Sequence, residues 1–109
     1  MQFLEEGKIA FTYITCADEK SVNAETGDHE GLVEIGRDIE GVEVSVFLRE
    51  KEGAEGFKIS LRSKEYLNVS DVCLMFGGGG HPRAAGGFVQ GSIDQAREKV
   101  VTEIKKSLK

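Results

Sequence analysis

The stretch "GGGGHPRAAGG", Gly77 to Gly87, gathers six of the chain's fourteen glycines into eleven residues and contains its single proline, Pro82. Bare backbone of this kind permits φ above zero and lets another segment or a ligand approach the peptide groups closely. Side-chain periodicity cannot continue through it. The run is therefore read as a glycine-rich loop, and the rest of the chain must be arranged on either side of it.

On the N-terminal side, "QFLEEGKIAFTYIT" reads as a hairpin turning at Glu6-Gly7, with Ile9, Phe11 and Tyr13 alternating. A polar loop, "CADEKSVNAETGDHEG", follows. Leu32, Ile35 and Ile39 at helical spacing predict a helix from Asp28 to Ile39 with Gly41 as its stop, although Gly36 interrupts it. Val42, Val44, Val46 and Leu48 alternate in one strand, and Phe57, Ile59 and Leu61 in the next, with "EKEGAEG" between them as a hairpin connection. Ser70 is placed as the cap of a short helix, "DVCLMF", that leads into the glycines. Beyond them a short strand is expected at Phe88 to Gln90. A last helix follows, with Ser92 and Gln95 forming a capping box and Ile93, Ala96, Val100, Ile104 and Leu108 as its apolar stripe. The expected fold is α+β: a mixed sheet of about five strands with about three helices packed on it.

At 109 residues the chain is read as one domain, residues 1–109. No apolar run approaches the roughly 20 residues that span a bilayer, and nothing at the N-terminus resembles a signal peptide, so no membrane and a cytoplasmic location are expected. Cys16 and Cys73 belong to no metal-ligand spacing and read as small buried hydrophobes. The net charge of −5 hides an asymmetry. Residues 1–57 carry five Lys/Arg against fourteen Asp/Glu, whereas residues 58–109 carry nine against five. An anion-binding surface should draw on the second half, and the overall acidity disfavours long duplex DNA relative to a small or single-stranded anion.

The glycines suggest one chemistry in particular. Successive N–H groups freed of side chains can converge on an anion as a nest, usually for phosphate. His81 adds a directional donor, Pro82 stiffens the exit and Arg83 adds a cation. A P-loop is excluded, since no lysine follows the glycines. The residues alone leave open a mobile loop with a structural histidine. They leave the same choice at "SLRSK", Ser60 to Lys64. There Arg62 must point away from the inward Leu61, either to fork onto a phosphate or stack on a base, or simply into solvent. Asp28 and His29 read as a helix N-terminus, and Glu50, Glu52 and Glu55 as a solvated hairpin tip.

"FKISLRSK" followed by "FGGGGHPRAAGG" resembles the DHH-associated C-terminal domain of the DHH phosphoesterases, most of all the nanoRNase branch, which degrades short oligoribonucleotides and dephosphorylates phosphoadenosine phosphate. "DHEGLVEIGRDIEGVEVSVFLRE" resembles it too, so the likeness spans nearly the whole chain. The resemblance implies a substrate-binding domain that faces an N-terminal DHH catalytic domain holding divalent metal, usually manganese. It implies substrate-binding roles for Arg62 and for Gly77, Gly78, Gly79, Gly80 and His81; Ser63 and Arg83 complete the expected substrate-binding set, and no catalytic residue and no cofactor are expected in this chain itself. The expected ligand is a short single-stranded oligonucleotide or a phosphorylated nucleotide. His81 argues against the alanyl-tRNA synthetase version of the domain, which has a longer glycine run and no histidine. The chain has no Asp-His-His motif. It is thus expected to be part of a longer enzyme or a free-standing relative, the start at Met1 directly before a strand favouring an excised domain. A non-catalytic single-strand-binding module, a polyphosphatase-related substrate domain and a dimerisation domain remain as alternatives.

Overall fold

The computed structural model describes residues 2–16, 26–51, 53 and 55–108, without the side chains of residues 26–30 and 32. The elements are β1 (Gln2–Leu4), β2 (Ile9–Ile14), α1 (Thr26–Asp38), β3 (Val44–Glu50), β4 (Gly56–Ser63), α2 (Val69–Leu74), β5 (Gly79–His81), β6 (Ala84–Gln90) and α3 (Ile93–Lys105). The strands form one six-stranded sheet in the order β1-β2-β3-β4-β6-β5. β2 and β3 run parallel, joined by the crossover through α1, and the other neighbours are antiparallel. The mixed α+β sheet expected from the sequence is thus present. Its additional strand, β5, arises inside the glycine run, and β6 starts at Ala84 rather than Phe88.

Alternation assigns the two faces of the sheet. Ile9 and Phe11 of β2, Val44, Val46 and Leu48 of β3, and Phe57, Ile59 and Leu61 of β4 join Val69, Val72 and Cys73 of α2 and Ala96, Val100 and Ile104 of α3 in one buried cluster. The capping box at Ser92 and Gln95 forms as the sequence required, each side chain bonding the other's backbone N–H. On the opposite face α1 packs against β2, β3 and β4, which is why Ser45 and Phe47 are buried as well as their valine neighbours.

The buried side of α1 differs from the expected one. Ile35 is 60% exposed, whereas Val33 and Gly36 face the sheet. A Cβ on Gly36 would stand 2.5 Å from Ser45 Oγ and 3.3 Å from Ala10 Cβ, so this glycine sets how closely the helix lies on the sheet. The cap of α2 also shifts. Asn68 Oδ1 accepts from the Asp71 N–H, and Ser70 Oγ instead accepts from the Gly80 N–H. Glu50 is not a solvated tip residue, since its carboxylate accepts from the Cys16 N–H at 2.8 Å. The side chains of Asp28 and His29, Glu52, and residues 17–25 of the expected polar loop lie outside the described residues. Among those described, no helix is long and apolar enough to cross a membrane.

Cys73 sits in the core at 0% exposure. Burial pushes its thiol up from 9.0 to about 11, against a smaller opposing pull from the Arg62 guanidinium. The unfolded chain releases this proton near pH 9 and the folded chain only near pH 11. The contribution to stability is therefore whole below pH 9 and declines across that window. Urea midpoints measured from pH 8 to 11 should fall more steeply for the wild type than for Cys73→Ala. Parallel profiles would show that the thiol ionises as readily in the fold as in the unfolded chain.

Candidate phosphate-binding site

Four strands bring the sequence-predicted residues together. Ser45 of β3 pairs with Arg62 of β4, Arg62 with Ala84 of β6, and Ala84 with His81 of β5. Paired residues share a face, so Arg62 and His81 lie in one row with only the methyl group of Ala84 between them, about 10 Å apart in backbone terms. The next row, Ser60, Gly86 and Gly79, is smaller still. Since α1 packs on β2, β3 and β4, the β6 residues of this face, Ala84, Gly86 and Phe88, remain partly exposed. The outcome is a shallow open floor with a guanidinium and an imidazole at one end.

His81 is exposed, and its Nδ1 accepts a 3.2 Å hydrogen bond from the Arg83 N–H. Accepting at Nδ1 fixes the ring proton on Nε2, so the neutral imidazole presents an N–H donor outward. Arg62 donates from Nη1 to the Leu61 carbonyl at 2.9 Å, which steadies the start of the fork.

The glycines perform a different task from the expected nest. Gly78 N–H donates to the Cys73 carbonyl at 2.9 Å and Gly77 N–H to the Leu74 carbonyl at 3.4 Å, with Gly77 at φ +71. This is a Schellman ending of α2. Gly80 N–H donates to Ser70 Oγ at 3.2 Å. The N–H groups of Gly77, Gly78 and Gly80 therefore already have acceptors within the chain, and in this conformation they do not converge on an outside point. Physically, a helix end and a hairpin edge each need their polar groups satisfied, and they use the same amides.

Ser63 and Arg83 are joined to each other beneath the site. Ser63 is buried, and Arg83 Nη1 donates to its hydroxyl at 3.0 Å and to the Leu67 carbonyl at 2.8 Å. Arg83 Nη2 donates to the Tyr66 carbonyl at 3.3 Å, and Nη1 stands 4.0 Å from Glu43. Glu43, buried at the entry to β3, accepts from the N–H groups of Glu65, Tyr66 and Leu67. Sequence reasoning did not single out Glu43. The available signal was a carboxylate set between two valines that are both buried, a position where a charge persists only with partners.

A family profile for the DHHA1 domain matches residues 6–109. The chain belongs to the DHHA1 domain family. This DHHA1 domain is 38% identical over 92 residues to the bifunctional oligoribonuclease and PAP phosphatase NrnA of Thermus thermophilus, covering 84% of the chain and 27% of that protein. Among solved structures, an exopolyphosphatase-related protein from Bacteroides fragilis superposes with a TM-score of 0.82 at 32% identity, covering 91% of this chain and 29% of that one. The C-Ala domain of Aquifex aeolicus alanyl-tRNA synthetase shares the fold, with a TM-score of 0.64 at 14% identity over 91% of this chain and 89% of its own. The chain thus spans little more than a quarter of the NrnA relative. Among the described residues no group of three or more His, Cys, Asp or Glu side chains is gathered as a metal site.

Proposed function

We propose that this DHHA1 domain is the substrate-binding part of a cytoplasmic, metal-dependent DHH phosphoesterase that hydrolyses short oligoribonucleotides or nucleoside bisphosphates. The observation that carries the reading is the shared row of Arg62 and His81 on an open sheet face. Arg62 supplies a planar, charge-assisted fork and His81 an Nε2–H, two donor types suited to one phosphate group. Gly86, on the same face as Arg62, keeps the floor low enough for the ligand to lie against backbone, and Gly79 and Gly80 form the edge strand that carries His81. Gly77 and Gly78 shape the helix end behind it, and Ser63 and Arg83 hold the turn that carries His81. The similarity to an oligoribonuclease and PAP phosphatase supports this substrate class.

Bond cleavage, in this proposal, belongs to an N-terminal DHH domain in the remainder of a longer protein. Manganese there would activate water and stabilise the leaving oxygen. This domain's residues bind the phosphate and orient it.

Titrating the chain with adenosine 3′,5′-bisphosphate tests the reading. Arg62→Ala should weaken binding by about 1.5–3 kcal/mol, the usual loss for a charged hydrogen bond. Arg62→Lys should recover only part of it, because an ammonium is not a fork. Wild-type affinity in both variants would remove Arg62 from the site.

A further inference from the structure

The face that carries Arg62 and His81 continues along β4 and β6 to a second cluster. Phe88 of β6 pairs with Lys58 of β4, and Lys58 with Arg49 of β3, so a ring and two cations share one row on this face. Lys51 Nζ stands 5.9 Å from the centre of the Phe88 ring. The ring lies across the bare backbone of Gly56, where a Cβ would come within 2.5 Å of Phe88 Cζ. Phe88 remains partly exposed and Lys58 is exposed.

We propose that Phe88, with Lys58 and Lys51 beside it, forms a second subsite that stacks a base, and pairs the adjoining phosphate, of the neighbouring nucleotide in a single-stranded oligonucleotide held at Arg62 and His81. The inference rests on the function proposed above and extends it along the chain of the ligand. Arg62 and Lys58 are separated by four residues of β4, about 13 Å, which reaches beyond one nucleotide. Between them lie only Ser60 on β4 and Gly86 on β6, so no large side chain interrupts the path. An aromatic ring bordered by cations is the arrangement that binds single strands without regard to sequence. A duplex is disfavoured, since the floor is only as wide as the strands β4, β6 and β5.

Binding of adenosine 3′,5′-bisphosphate and of a fluorescently labelled trinucleotide RNA to the full 109-residue chain distinguishes the two subsites. Phe88→Leu still covers Gly56 but offers no ring. It should weaken the trinucleotide about tenfold, the scale of a lost base stack, and leave the bisphosphate unchanged. Phe88→Tyr should restore the trinucleotide. Exposed Lys58→Ala should lower the salt dependence of trinucleotide binding by about one ion, which serves as the measurement should Phe88→Leu fold poorly. Equal losses for both ligands in Phe88→Leu, or no loss for either together with an unchanged salt slope in Lys58→Ala, overturn the subsite. If the wild type binds neither ligand, the Arg62–His81 reading itself has failed and the subsite falls with it.

Discussion

Gly78→Ala is expected to destabilise the domain by about 3 kcal/mol or more, at the upper end of overpacking, while its neighbour Gly77→Ala loses only about 1–2 kcal/mol. The two glycines are adjacent and chemically identical, but they are constrained differently. Gly77 holds a left-handed φ of +71 with open space around its missing Cβ, so a side chain there meets only conformational strain. A Cβ on Gly78 would run into the backbone of Gly86 and Gly87 on β6, and backbone cannot rotate out of the way. The α2 ending and the β5–β6 hairpin would have to separate. At about 4–8 °C per kcal/mol for a domain near this size, thermal unfolding followed by circular dichroism should separate the two variants by several degrees. Equal midpoints would mean that the close approach of Gly78 to Gly86 is absent in solution.

Glu43→Ala should cost about 3 kcal/mol, the upper end of the cost of leaving buried hydrogen-bonding groups unsatisfied. The substitution leaves the N–H groups of Glu65, Tyr66 and Leu67 without their acceptor and Arg83 without its nearby carboxylate. Glu43→Gln keeps an oxygen acceptor but loses the charge, and should fall between. Amide hydrogen exchange gives the residue-level measurement. Protection at Tyr66 and Leu67 should drop in Glu43→Ala ahead of global unfolding. Unchanged protection at those amides would show that the carboxylate does not hold them.

The sequence made some of these elements readable and concealed others for definite reasons. The hairpins and α3 carry their signals locally, in alternation and in the Ser92–Gln95 box, and they stand where the pattern put them. In α1, large apolar residues at helical spacing point to Ile35 as a core residue. The true contact is made by Val33 and by Gly36, whose value lies in having nothing to detect. β5 was invisible for the same reason, since alternation cannot be read through glycines. At the site, the opposite facing of Leu61 and Arg62 followed from strand period alone. That Arg62 and His81 fall in one row did not, because it depends on β6 inserting between β4 and β5. The commitment of the glycine N–H groups to Cys73, Leu74 and Ser70 was equally beyond a one-dimensional reading.

Arg83 and His81 sit two positions apart in one motif, and their roles diverge at the turn between β5 and β6. His81 points its Nε2–H outward, while Arg83 turns inward to Ser63, Tyr66 and Leu67. In a genetic screen scored on growth or loss of function, lesions at the two positions would cluster together and suggest a common role in recognition. Their molecular phenotypes should part: a His81 lesion would leave abundant, well-folded protein with an impaired grip, whereas an Arg83 lesion would reduce the amount of folded protein and be suppressible by stabilising changes elsewhere in the sheet.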